Sequence, residues 1–319
     1  MALLSIRDLA VEFLVDRETI HALRGVTMSL EEGSRTAVVG ESGSGKTVTA
    51  LSVLRLLPPT ARITSGRIHF GDQDLTALDD AHLGEIRGSQ VAIIFQHAAA
   101  ALNPLWPVGR QIADVYRRHR GGSRREAWQR AVEVLAATGI PDAAARARDY
   151  PHQFSGGMAQ RVMIAMALVC SPKLLIADEP TTGLDLTIQV QVLDLIAEVV
   201  ERLGATLMLI SHDLAVVGAL CDHVVVMYAG QVMESGTTAQ VLEESANPYT
   251  EGLVACFAEA EGGDMPSIPG RAPDMRRSLP GCGFAERCAH AQDICRGSPA
   301  PVVEVAAGHL SRCHFAGER

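Results

Sequence analysis

The residues whose types and spacing carry the clearest chemistry are Gly40-Glu41-Ser42-Gly43-Ser44-Gly45-Lys46-Thr47. Two glycines bracket four residues, and Lys-Thr follows. A β-branched run, Arg35-Thr36-Ala37-Val38-Val39, comes before. An apolar stretch from Val48 to Leu57 comes after and stops at Pro58-Pro59. Strand, glycine loop and helix in that order are the context that a phosphate-binding loop requires. Glycines let backbone N–H groups converge on phosphate oxygens without a Cβ in the way, and the helix N-terminus adds a positive dipole end. Lys46 suits the β- and γ-phosphates, and the Thr47 hydroxyl suits Mg²⁺. Thr49, in the first turn of the helix, joins the nucleotide-binding candidates.

Three further apolar runs end in polar side chains, and strand C-termini are where ligands meet an open α/β sheet. Leu174-Leu175-Ile176-Ala177 leads to Asp178-Glu179. Asp178 is suited to a water-mediated hold on Mg²⁺, and Glu179 to positioning or deprotonating an attacking water. Adjacent strand residues point oppositely, so Glu179 must lie at the very end of its strand to turn back. Val91 to Phe95 leads to Gln96, whose amide is placed to sense Mg²⁺ or water. Leu207 to Ile210 leads to Ser211-His212-Asp213, which places an imidazole for the γ-phosphate. Phe154-Ser155-Gly156-Gly157-Met158-Ala159-Gln160 is a helix start with a serine cap, a second anion site. One ATP already has its phosphate loop, so a second such site suggests that two subunits sandwich the nucleotide.

The elements around these residues read as an α/β fold. Residues 1 to about 33 and Gly66 to Gly71 alternate as short antiparallel strands. From about 97 to 160 strand runs vanish, and Arg125 to Thr138 has helical spacing, which predicts a helical insertion. Strand and helix then alternate regularly to Met227, which predicts a mostly parallel sheet with helices on both faces. The 319 residues allow one large domain with an appendage, and the formal net charge of −9 argues against nucleic acid as the main partner. Arg117-Arg118-His119-Arg120 and Arg124-Arg125 form a local basic run, read as a solvated face. No apolar run approaches the length that spans a bilayer, and no secretion signal is visible at the N-terminus, so the chain is expected to be cytosolic.

Near Gly262-Gly263 the composition becomes proline-rich and loses periodicity. Cys282, Cys288, Cys295 and Cys313 lie in this tail, separated by five, six and seventeen residues. Four thiolates suit Zn²⁺ or an iron–sulfur cluster, and gaps this wide favour the larger group. Zinc and unligated thiols stay open as alternatives. His290, His309 and His314 read as surface residues, with a ligand role as the alternative. Cys170, Cys221 and Cys256 read as small apolar residues.

The set Gly40–Thr47, Gln96, Ser155–Gln160, Leu174–Glu179, Gly183-Leu184-Asp185 and His212 resembles the ATP-binding subunits of ABC transporters, over about 260 residues. The resemblance implies a P-loop NTPase core with a mostly parallel sheet, an antiparallel β subdomain, the helical insertion and a small Cys-rich C-terminal appendage. It divides the chain at residues 1–260 and 261–319. It assigns Lys46 and Thr47 to Walker A, Asp178 and Glu179 to Walker B, Gln96 to the Q-loop, Ser155–Gln160 to the signature motif, Asp185 to the D-loop and His212 to the switch histidine. Catalytic roles then fall to Glu179, His212, Gln96 and Lys46, and Mg²⁺ contact to Thr47, Gln96 and Asp178. Phe13 is a candidate to stack on adenine. Asn103-Pro104, Tyr150–Met158, Ala177–Thr182 and Asn247-Pro248-Tyr249-Thr250 are similar to the dipeptide/oligopeptide importer group, which also includes nickel and glutathione importers. In some members of that group the tail carries a [4Fe–4S] cluster, which implies Cys282, Cys288, Cys295 and Cys313 as ligands. The implied partners are two transmembrane permease subunits, a second and different ATPase chain and, indirectly, an extracytoplasmic solute-binding protein, with this subunit on the cytoplasmic face of the membrane. The competing reading is a soluble ABC ATPase of translation or repair.

Overall fold

The computed structural model describes residues 2–260 and 267–318. The composition shift at Gly262-Gly263 lies outside them. In chain order the strands are β1 (Ala2–Val15), β2 (Glu18–Glu31), β3 (Arg35–Val39), β4 (Ala61–Phe70), β5 (Gln73–Asp74), β6 (Val91–Ile94), β7 (Leu174–Asp178), β8 (Thr206–Ile210), β9 (His223–Tyr228), β10 (Gln231–Thr237), β11 (Val302–Ala306) and β12 (His309–Arg312). Two compact units result, one from residues 1–77 with 209–319 and one from residues 78–208. Among the described residues no helix is long and apolar enough to cross a membrane.

The first unit holds an antiparallel sheet in the order β2-β1-β4-β5. Its alternating pattern turns Leu4, Ile6, Leu9 and Val11 inward, all fully buried. The expected separate strands near the N-terminus are one long β1, because bulges carry the pairing through the interruption at Asp8. Asp8 adopts φ 48°, and its N–H is donated to Thr27 Oγ1 at 2.9 Å. The same unit pairs β3 with β9 in parallel, and β9, β10, β12 and β11 in antiparallel succession. The tail therefore contributes a hairpin and the helix Asp293–Gly297, where the sequence led us to expect little regular structure.

In the second unit β6 pairs in parallel with β7, and the Thr206 N–H bonds the Lys173 carbonyl at 2.8 Å to start β8 beside β7. All five residues of β7 are buried, as a strand covered on both faces requires. Helices Val108–Arg120, Arg124–Ala137 and Gly156–Leu168 fill the expected helical region. Ser123 opens the second of these with a capping box, its Oγ accepting from the Glu126 N–H while Glu126 accepts from the Ser123 N–H. The basic run falls in the last turn of Val108–Arg120, where cations oppose the helix dipole. One member, Arg120, donates to the Cys170 carbonyl at 2.5 Å.

Candidate active site

In the first unit the phosphate loop leaves β3 and enters the helix Lys46–Val53. Gly40 adopts φ 144°, and a Cβ there would stand 2.1 Å from the Met227 carbonyl oxygen, so only glycine fits. Gly45 is the helix N-cap and brings no side chain to occupy the first N–H groups. Lys46 is buried, and its Nζ donates to the carbonyls of Gly40 at 2.8 Å and Glu41 at 3.0 Å. The loop thus curls around the ammonium. Ser42, Gly43 and Thr47 are exposed, whereas Ser44 is buried and its carbonyl accepts from the Gly230 N–H at 3.0 Å. Thr49 is fully buried, with its hydroxyl donating to the Gly45 carbonyl at 3.0 Å, so it braces the loop from beneath.

Phe13, on β1 opposite Ile20, lines a surface cavity with Thr19, Pro59 and Arg62. His212 follows β8 and is exposed. The turn that carries it is fixed on one side by Asp213, which caps the helix Leu214–Leu220 by accepting from the N–H groups of Ala215 and Val216. On the other side Ser211 Oγ accepts from the Asp213 N–H at 3.0 Å.

In the second unit Asp178 ends β7 and is buried. At Glu179 the backbone turns to φ 44°, breaking the strand alternation directly after Asp178. Gln96, just past β6, donates its Nε2–H to Glu179 Oε2 at 3.0 Å. The Thr182 hydroxyl donates to the same oxygen at 3.0 Å. The structure therefore brings Gln96 and Glu179 together and adds Thr182, which the sequence did not single out. Ser155 caps the helix Gly156–Leu168 through Met158 N–H at 3.4 Å and is exposed with Gly156, while Gly157 is half-buried. Gln160 is buried, on the packed face of that helix. Asp185 caps the helix Leu186–Leu203 by accepting from the Ile188 N–H at 3.1 Å.

Two residues near the phosphate loop escaped the sequence reading. Tyr249 is fully buried, and its hydroxyl oxygen accepts from the Glu41 N–H at 2.9 Å. Burial raises the Tyr249 phenol far above its ordinary pKa, so it stays a neutral acceptor. Arg287, from the tail, donates from Nη1 to Glu41 Oε2 at 2.7 Å and from Nη2 to Glu41 Oε1 at 3.0 Å. Tyr249 belongs to the Asn-Pro-Tyr-Thr motif and Arg287 directly precedes Cys288 in the tail, but neither position signals its partner Glu41.

The tail cysteines line one pocket, with Met233, Phe284 and Phe315 supplying apolar walls. The Cys282 N–H bonds the Cys295 carbonyl at 2.7 Å, joining the two arms of this fold. Burial raises the Cys282 thiol pKa, and Cys295, Cys313 and Cys288 add to it as neighbouring charges. Among the described residues, however, no group of three or more His, Cys, Asp or Glu side chains is arranged to hold a metal ion. The four thiols share the wall of that one pocket. The expectation for His309 is corrected. It is buried, with Nε2 2.7 Å from Glu234 Oε1, and is no surface residue.

Glycine loop, buried lysine and a glutamine bonded to a strand-end glutamate are the working parts of an ATP-binding cassette, and comparisons with known proteins agree. The ABC transporter family model matches residues 23–182, and the model for the oligopeptide/dipeptide transporter C-terminal region matches residues 233–295. The chain belongs to the ABC transporter family as an ATP-binding ATPase subunit. It is 44% identical over 295 residues to the dipeptide transport ATP-binding protein DppD of Bacillus subtilis, covering 92% of this chain and 88% of that one. It is 42% identical over 314 residues to the oligopeptide transport ATP-binding protein OppD of Escherichia coli, covering 98% and 93%. A dimeric ATP-binding cassette solved in a post-hydrolysis state with ADP and Pi superimposes with a TM-score of 0.66 at 27% identity, covering 74% of this chain and 98% of that one. These matches bear out the family resemblance and disfavour a soluble ATPase of translation or repair.

Proposed function

We propose that this chain hydrolyses ATP to drive uptake of dipeptides or oligopeptides through separate membrane subunits. The observation that carries the catalytic part is Glu179 held by Gln96 and Thr182 on a single oxygen. Those two bonds fix the plane of the carboxylate that would take a proton from the attacking water. Lys46 would neutralise phosphate charge, Thr47 and Asp178 would hold Mg²⁺ with Gln96 as its sensor, and His212 would meet the γ-phosphate. Ser155 and Gly157 of a second ATPase subunit would close the opposite side of the nucleotide. The peptide substrate is supported by the tail-region match and by the transport proteins the chain resembles.

In this reading residues 1–260 are the nucleotide-binding domain, with the insertion at about 97–160, and residues 261–319 are an appendage. The insertion offers Leu105, 79% exposed, and Trp106 to two permease subunits, an apolar pair that suits docking at the cytoplasmic face of the membrane. A solute-binding protein outside would deliver the peptide. The four tail cysteines are proposed as ligands of a [4Fe–4S] cluster, supported by their common pocket; such a group would serve as a structural staple.

The deciding experiment reconstitutes this chain with its permease and partner ATPase in vesicles and follows labelled peptide. ATP-dependent uptake abolished by Glu179→Gln is the expected result. Uptake of a nickel complex or glutathione in place of peptide would move the substrate, and ATPase activity indifferent to the permease would sink the importer reading.

A further inference from the structure

The Arg287–Glu41 pair joins the tail to the first variable position of the phosphate loop, within one compact unit. Every polar atom of the guanidinium has a partner. Besides the two bonds to Glu41, Nε donates to the Pro269 carbonyl at 2.9 Å, Nη2 to the Ile268 carbonyl at 2.7 Å and Nη1 to the Tyr228 hydroxyl at 3.2 Å. The Arg287 side chain is 5% exposed and the Glu41 side chain 29%. Beneath them Tyr228, Tyr249 and Phe284 pack ring against ring, with centroids 4.5 to 5.4 Å apart. Tyr249 accepts from the Glu41 N–H. The Glu41 carbonyl in turn receives Lys46 Nζ. The backbone of one loop residue is therefore held by Tyr249 and its side chain by Arg287 of the tail, while its carbonyl holds the phosphate-binding lysine.

We propose that Arg287 is a positioning residue for the phosphate loop, so that the tail sets the affinity of the cassette for ATP. A two-pronged guanidinium–carboxylate bond fixes orientation as well as distance, which a lysine ammonium cannot reproduce. By holding Glu41 in one place, Arg287 keeps its carbonyl at the Lys46 ammonium and limits the conformations the loop must lose when phosphate binds. The inference rests on the ATPase reading above and adds to it a residue outside every motif of the cassette.

The test is calorimetric ATP binding to the full chain carrying Glu179→Gln, so that hydrolysis does not intrude, with thermal unfolding measured alongside. We expect Arg287→Ala and the near-isosteric Glu41→Gln each to weaken ATP binding roughly fivefold or more. Arg287→Lys should recover little of it. The double variant should be no weaker than the worse single one, because both remove the same grip. Unchanged affinity with only a lower melting temperature would reduce Arg287 to a structural staple and overturn the proposal, as would independent, additive losses. If Arg287→Ala does not fold, Glu41→Gln alone decides by the same affinity criterion. Absence of ATP binding in the parent chain would remove the ATPase reading itself, and is seen before any Arg287 variant is made.

Discussion

Gln96 and Glu179 lie 83 positions apart in the chain and meet at 3.0 Å, amide to carboxylate. The Thr182 hydroxyl bonds the same oxygen, so the carboxylate plane is set from two directions. Hydrogen bonds to a charged group contribute about 1.5–3 kcal/mol each. Gln96→Ala and Thr182→Val should each lower the ATPase rate about tenfold, roughly the lower end of that range, while leaving ATP affinity near that of the parent chain. Steady-state hydrolysis with a parallel binding measurement checks this. A wild-type rate in both variants would mean that the orientation of Glu179 is secured by its other contacts.

Tyr249→Phe keeps the ring packing against Tyr228 and Phe284 and deletes only the acceptor for the Glu41 N–H. An amide left without a partner in a half-buried place costs about 1–3 kcal/mol. Tyr249→Ala adds a cavity and should cost about 3–5 kcal/mol. Urea denaturation should rank the two variants in that order.

Burial raises the Glu234 carboxyl pKa, although the Ala246 N–H at 2.6 Å and His309 pull the other way. A carboxyl whose folded pKa lies above its unfolded one binds its proton more tightly when folded, so its contribution is complete at acid pH and is lost as pH rises through the folded value. Stability of the parent chain should therefore fall with rising pH, above the ordinary carboxyl range, relative to Glu234→Gln, whose amide does not titrate. Parallel curves for the two proteins would show that His309 compensates fully. Glu234→Ala, which strands His309 in the interior, should cost about 3 kcal/mol at neutral pH.

The Cys221 thiol is pushed up to about 12 by burial, with Asp222 adding to the shift. At pH 8 its thiolate fraction is on the order of 10⁻⁴, so iodoacetamide should spare it in the native chain and modify it after urea is added. Mass spectrometry of the tryptic peptide reads this directly. Rapid native labelling would mean that the helix end Leu214–Leu220 opens readily.

The local parts of the site were legible because their signals are local. The glycine loop, the caps at Ser155, Asp185 and Asp213 and the strand that ends in Asp178 are each fixed by neighbours in sequence. Arg287 was not, because its partner Glu41 lies 246 positions away and its surroundings are proline-rich. The tail hairpin was missed for a different reason. β12 buries His309 and Ser311 and leaves Leu310 37% exposed, the reverse of the pattern by which a strand is normally recognised. The polar residues are inside because Glu234, Ala246 and Asn247 are there to bond them. Thr49 stands just past its motif and Gln160 within its own, yet both are buried, and spacing alone does not separate a residue that touches a ligand from one that supports its neighbour.

The pairing of β12 with β10 also bears on any attempt to trim the chain to a minimal cassette. Cutting before Val302 would strip a neighbouring strand from β10 and leave its N–H and C=O groups at Glu234 and Ser235 open along a raw sheet border. Such a shortened protein is expected to keep its phosphate loop and still precipitate, by borrowing strands from other molecules. The hairpin is in that sense a selvedge, the finished margin that stops the sheet from being extended by strangers.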